Sequence, residues 1–209
     1  MRLTMIVLDD FFENPMEARN AALALDYDAA EGGTAERHSR QPILWPNSDQ
    51  MFSQIVREPV RGHPGLAHGK FRLATGGAEH GANVHAEPGI VWAGVLYMTL
   101  PQYCRGGVEF YRHKDYGTDG APLTQDDLKP YGSSETSREQ LTGRLTGIDG
   151  RDRSKWEKIM TVPMRFNRLV LFRGHFWHTA GESFGSVPEN CRLTQLFFFQ
   201  SAQIAGMRR

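Results

Sequence analysis

Asn83 to Leu100 reads N-V-H-A-E-P-G-I-V-W-A-G-V-L-Y-M-T-L. The apolar run beginning at Ile90 is rich in β-branched and aromatic residues and predicts a buried strand. Just before it, His85 and Glu87 stand two residues apart. If N-V-H-A-E is also a strand, both side chains project to the same face. A bound metal explains such a pair, and so does a surface ion pair. The tripeptide alone does not choose between them.

Working outward, more segments of the same kind appear. F-R-L-A-T after Lys70, G-G-V-E-F-Y, I-M-T-V-P-M-R-F, R-L-V-L-F and R-L-T-Q-L-F-F-F-Q all read as strands, as does L-T-M-I-V-L at residues 3–8. Strands without long helices between them predict an antiparallel sandwich or barrel. Two helices are expected before this β half. One is capped at Asn14 with Pro15 in its first turn and runs to about residue 26; the other is N-S-D-Q-M-F-S-Q-I-V, capped near Asn47 or Ser48. Residues 27–47 read as loop. Residues 112–158 interrupt the strands with a charged excursion that still carries Tyr116, Leu128, Leu141, Leu145 and Trp156. Ser137 with Gln140 offers a capping box, so short helices are expected there. An insertion of this length is a lid, a binding element or disordered.

The bulk numbers exclude several classes. A chain of 209 residues with 40% hydrophobic and 23% charged residues suits one globular domain with a real core. Lys+Arg and Asp+Glu balance at 24 each, which argues against nucleic acid as a partner. No apolar run approaches the ~20 residues of a membrane span. The N-terminal stretch acquires charge too early for a signal peptide. Cys104 and Cys191 are the only cysteines. They cannot make a disulfide framework, and a cytoplasmic location is expected.

A second chemical motif is L-F-R-G-H-F-W-H-T-A-G-E, Leu171 to Glu182. A histidine and a carboxylate from one strand, joined by a distant histidine, make the donor set of a 2-His-1-carboxylate site, which leaves one face of an Fe(II) open. Arg192 then opens an apolar strand. An inward arginine is costly there unless it meets an anion, and a guanidinium grips a carboxylate in a bidentate fork. A small dicarboxylic keto acid would bridge metal and arginine. A salt bridge to a protein acid is the alternative.

The order H-A-E, V-L-Y-M-T-L, R-G-G-V-E-F, V-P-M-R-F-N-R-L-V-L-F, H-T-A-G-E and C-R-L-T-Q-L-F-F-F resembles the double-stranded β-helix of the Fe(II)- and 2-oxoglutarate-dependent oxygenases, with the prolyl-hydroxylase-like branch as the nearest look. The resemblance covers residues 83–111 and 162–199. It implies a mainly β jelly roll (cupin-like) with flanking helices. It implies His85, Glu87 and His178 as iron ligands, Arg192 as the anchor of the far carboxylate of 2-oxoglutarate, and Tyr97 beside it. Thr99 would share the face of Tyr97, with core packing as its other reading. Gly106 and Gly107 match a structural Gly-Gly turn. The implied reaction uses O₂ to hydroxylate or otherwise oxidise a C–H bond of a small molecule, amino acid or peptidyl residue, giving succinate and CO₂.

Three features depart from the family pattern. The carboxylate is Glu rather than Asp, the interval from His178 to Arg192 is long, and the 112–158 excursion replaces a short connection. Glu87 argues against a halogenase, which leaves that position empty for halide. His178 fits the spacing better than His175, and Glu182 is too close to His178 in sequence to span the strands. The remaining histidines (His38, His63, His68, His80 and His113) are expected in solvated loops, and Trp92, Phe176 and Trp177 in core or rim packing. The rival from another class is a non-catalytic jelly-roll binding module with a degenerate metal site. A cupin-type metal enzyme would bring more histidines, usually as H-x-H. The substrate and the oligomeric state are not legible.

Overall fold

Residues 3–28, 36–76, 83–132 and 137–202 are described by the computed structural model. Its strands are β1 (Met5–Leu8), β2 (Glu36–His38), β3 (Val60–Gly62), β4 (Phe71–Ala74), β5 (Trp92–Tyr97), β6 (Gly107–His113), β7 (Trp156–Pro163), β8 (Leu169–Phe172), β9 (His178–Thr179) and β10 (Arg192–Ser201). They form two antiparallel sheets. The larger has the order β1-β8-β5-β10-β4-β2, with β3 also paired to β10, and the smaller has the order β7-β6-β9. The architecture is the jelly roll, or double-stranded β-helix, expected from the sequence.

Alternation along the strands builds the layers. In β10, Leu193, Phe197 and Phe199 point outward with Leu73, Trp92, Leu96 and Leu171, and all pack beneath Ala22, Phe52 and Val56 of the N-terminal helices. Helix α1 spans Pro15–Leu23 and α2 spans Ser48–Val56. The opposite face of the sheet carries Ala93, Tyr97, Val170 and Phe172, which meet Val108, Phe110 and Val162 of the smaller sheet. The outer face of the smaller sheet is covered by the excursion. There Leu128, Tyr131, Leu141 and Leu145 pack on Tyr111, Trp156 and Trp177. Helix α3 (Arg138–Gly147) in this layer begins at Ser137 with the expected capping box.

Several expectations need correction. Helix α1 ends at Leu23 rather than near residue 26, and neither Asn14 nor Asn47 makes a side-chain cap. Residues 27–47 are not all loop, because Glu36–His38 pairs with β4 as an edge strand. N-V-H-A-E is not a strand; its one ladder contact is a bridge between His85 and His178. Two histidines expected in solvent are interior. His68 accepts a hydrogen bond from the Phe198 N–H at 3.0 Å, and the fully buried His113 meets Asp149 at 3.0 Å. Both sit beside partners distant in sequence, which local context does not reveal. His80 lies outside the described residues. Both cysteines are free thiols. No helix among the described residues is long and apolar enough to cross a membrane.

Candidate metal centre

The bridge that replaces the expected strand is what assembles the site. The N–H of His85 donates to the carbonyl of His178 at 3.0 Å, and the N–H of His178 donates back at 2.9 Å. A directly opposed antiparallel pair puts both side chains on the same side of the ladder. The imidazole rings accordingly lie 4.4 Å apart, centroid to centroid. Glu87 is fixed by its own N–H, which donates to the Gly174 carbonyl at 2.7 Å, and its Oε1 lies 3.5 Å from His85 Nε2. His85, Glu87 and His178 each offer a donor atom, and these atoms lie within 4.8 Å of one another. His175 is absent from the cluster and lines a neighbouring cavity instead.

The tautomers follow from the hydrogen bonds. His85 Nδ1 lies 2.9 Å from the Asn83 carbonyl and His178 Nδ1 lies 2.8 Å from the Phe176 carbonyl. A carbonyl only accepts, so each Nδ1 carries a proton, and in a neutral ring Nε2 is left with its lone pair. Such an Nδ1–H to carbonyl bond is how proteins orient a metal-ligating histidine. Burial, reinforced by the charge of His85, lowers the His178 pKa to about 3, so this ring is neutral at ordinary pH. Burial works against charge on His85 too, but hydrogen bonding and the charge of Glu87 outweigh it and raise its pKa. Glu87 is likewise penalised by burial, yet the two histidines hold its pKa below the usual value. With these opposite shifts His85 and Glu87 form an ion pair, 3.5 Å apart, at the place where a cation would sit.

Two imidazoles and a carboxylate suit a divalent first-row metal, and three protein ligands leave coordination positions for other molecules. The side chains of His85 and Glu87 are 33% and 22% exposed, while His178 is buried, so the cluster opens on the first pair's side. The triad lines a cavity of about 70 Å³ together with Arg72, Leu196 and Phe198. A larger cavity of about 300 Å³ adjoins it at Glu87 and is walled by Leu123, Arg138 and Thr142 of the excursion and by His175.

Arg192 opens β10 on the same face as Leu196 and Phe198 and is 1% exposed. Its Nη1 donates to the Glu182 carbonyl at 2.9 Å, whereas Nε and Nη2 are buried with no hydrogen-bond partner among the described residues. Burial pulls its pKa down to about 10. A guanidinium taken out of water with donors unused costs several kcal/mol. Tyr97 lies beside it, with Arg192 Cζ 5.8 Å from the ring centre. The phenol oxygen accepts from the Val108 N–H at 2.9 Å, which leaves its own proton to donate. Thr99 is fully buried, in keeping with its packing reading. Its hydroxyl is engaged with the backbone of Cys191 and Leu193, accepting from Leu193 N at 2.9 Å, so it braces the start of β10.

Gly107 permits the close approach of β6 and β7, since a Cβ there would lie 1.9 Å from the Val162 carbonyl oxygen. Sequence reading missed Arg72. The available signal was a charged residue alternating with buried Phe71 and Leu73 in a short apolar strand.

DUF6445, a family of unknown function, matches residues 2–199. No curated protein matches the sequence at a significant level. Among solved structures, HygX from Streptomyces hygroscopicus, crystallised with nickel, 2-oxoglutarate and hygromycin B, aligns with a TM-score of 0.50. The identity is 14%, over 98% of this chain and 86% of HygX, and the likeness is one of fold. SnoN, a non-heme alpha ketoglutarate dependent epimerase from nogalamycin biosynthesis, aligns with a TM-score of 0.48 at 16% identity, over 99% of this chain and 84% of SnoN.

Proposed function

The chain belongs to the DUF6445 family, and we propose that it is a non-haem Fe(II)- and 2-oxoglutarate-dependent oxygenase that oxidises a C–H bond, most simply by hydroxylation. The observation that carries this reading is a pairing within one sheet interior. A His-Glu-His donor set lies at one end, and a buried arginine with two unused donor nitrogens lies further along β10. A binding module with a degenerate metal site has no use for the second feature.

In this reading His85 Nε2, His178 Nε2 and a Glu87 oxygen hold the metal, and the Nδ1 bonds to Asn83 and Phe176 keep both rings aimed. Arg192 receives the far carboxylate of 2-oxoglutarate, and the Tyr97 hydroxyl donates to it. Bound iron and keto acid supply the oxidising chemistry, in which O₂ is consumed, the keto acid becomes succinate and CO₂, and the substrate is oxidised. The chain's own part is to orient these groups and to exclude water: Phe110 and Phe172 shield His178, with ring centroids 6.4 and 4.6 Å away. The cavity of about 300 Å³ beside Glu87 takes the substrate, which makes the excursion a substrate-binding element. Its size suits a small molecule or a single peptidyl side chain. The R-G-G-V-E-F turn and the R-L-V-L-F strand favour the prolyl-hydroxylase-like branch, and a cytoplasmic location remains part of the reading.

The test is Fe(II)-dependent conversion of 2-oxoglutarate to succinate by the purified protein. His178→Ala abolishes it and His175→Ala retains most of it. Equal turnover in the two variants contradicts the ligand assignment.

A further inference from the structure

Arg192 is not the only guanidinium with unused donors in this interior. Arg72, on β4, has Nε and Nη2 buried without a hydrogen-bond partner among the described residues. It faces Glu36, whose Oε1 lies 3.5 Å from Nη2, yet neither atom makes a hydrogen bond there. Arg72 lines the same cavity of about 70 Å³ as His85, Glu87 and His178. Its charge is felt at both His85 and Arg192.

The strand register places it between the two. On β10, Arg192 is opposite Ala74 and Thr194 is opposite Arg72. Arg72 is therefore one step of two residues, about 7 Å, from the level of Arg192. The step is toward Leu196 and Phe198, which line the metal-side cavity. A keto acid stretched from the triad to Arg192 runs past it. Counting charges points the same way. A divalent metal, Arg72 and Arg192 carry four positive charges against the two negative charges of Glu36 and Glu87; Glu109, which also acts on Arg192, is matched by its own ion pair with Lys158. The excess is that of a dicarboxylate. A guanidinium with unused donors beside a carboxylate makes charge-assisted hydrogen bonds, whereas its present contact with Glu36 makes none.

We propose that Arg72 is a second carboxylate-binding residue of the cavity, holding the metal-side carboxylate of the keto acid while Arg192 holds the far one. The inference rests on the oxygenase reading above. It gives Arg72 a direct contact with the co-substrate and divides the dianion between two arginines on neighbouring strands.

The experiment compares two acids on the Fe(II)-loaded protein under anaerobic conditions, read by calorimetric titration. 2-Oxoglutarate has both carboxylates, and 2-oxobutyrate has only the metal-side one. Arg72→Met is expected to weaken both acids by a similar factor, roughly ten-fold or more. Arg192→Met is expected to weaken 2-oxoglutarate selectively. Glu36→Gln removes the acid facing Arg72 and is expected to tighten 2-oxobutyrate, a gain that a purely structural Arg72–Glu36 contact does not produce. Should Arg72→Met fail to fold, Glu36→Gln carries the test by itself: tightening supports the assignment and unchanged affinity overturns it. Affinities in Arg72→Met within two-fold of wild type overturn the proposal, and so does loss confined to 2-oxoglutarate, which would put Arg72 on the far carboxylate. In those cases the wild-type protein still binds keto acid and the oxygenase reading stands. Wild-type protein that binds neither acid overturns both.

Discussion

His85 and His178 are joined by reciprocal backbone hydrogen bonds of 3.0 and 2.9 Å, and their side chains share one side of that bridge. If the pair holds a metal, its ligation depends on backbone register as much as on residue type. His178→Ala should weaken Fe(II) binding by roughly a hundred-fold or more, because it deletes a ligand while the bridge survives. His175→Ala should leave the affinity within about two-fold, since its ring lies outside the cluster. Metal titration of the two variants checks this.

Gly107 tests the register from the other side. A Cβ at this position would sit 1.9 Å from the Val162 carbonyl oxygen, a backbone atom that cannot swing away. Gly107→Ala should destabilise the fold by about 3 kcal/mol or more, seen in the denaturant midpoint. Strand β6, which pairs with β9 through Phe110 and His178, must then shift. Metal affinity should fall even though no ligand has changed.

Metal binding should release a proton and weaken in acid. The His85 pKa is raised by Glu87 despite the opposing effect of burial, so a proton competes for Nε2 up to a higher pH than for an ordinary histidine. Above the raised pKa the metal meets a neutral ring and affinity is at its plateau. As pH falls through that value affinity declines, with a limiting slope near ten-fold per pH unit for one proton. His178, depressed to about 3, does not contribute in this range. Glu87→Gln removes the cause of the rise and should move the decline to lower pH. Calorimetry in buffers of different ionisation enthalpy counts the proton.

Arg192 should cost stability and supply binding. Its buried Nε and Nη2 lack hydrogen-bond partners among the described residues. Arg192→Met should leave the metal-free protein equally stable or more stable, by about 1 kcal/mol or more, while weakening 2-oxoglutarate by roughly ten- to a hundred-fold. A structural salt bridge predicts the opposite, a loss of stability with binding intact. Paired denaturation and binding curves separate the two.

How much of this was legible depended on whether the signal was local. The β5, β8 and β10 strands announce themselves through runs of branched and aromatic residues, and H-A-E, His178 and Arg192 stand beside those runs. Strand β2 was not legible, because E-R-H is short and polar and becomes a strand only through its pairing with β4. N-V-H-A-E has the pattern of a strand but is not one for a related reason: its partner β9 has two residues, too few to sustain a ladder. The shared direction of His85 and Glu87 holds all the same because other contacts fix them. His113 was misplaced in solvent because Asp149, its partner, comes from the far end of the excursion. For Thr99 alternation offers a place beside Tyr97 and burial offers packing; it is buried just past the end of β5 with its hydroxyl on the β10 backbone, as packing requires.

The central claim is that one interior holds Fe(II) and 2-oxoglutarate together. The most direct measurement mixes metal-free protein with Fe(II) and 2-oxoglutarate in the absence of O₂ and looks for the visible charge-transfer band of a keto acid chelated to iron. Wild-type protein should show the band, Glu87→Ala should lose it, and Arg192→Met should show it only at much higher 2-oxoglutarate. No band from wild-type protein, with Fe(II) shown not to bind, would contradict the claim and leave His85 and Glu87 as a half-buried ion pair in a jelly roll.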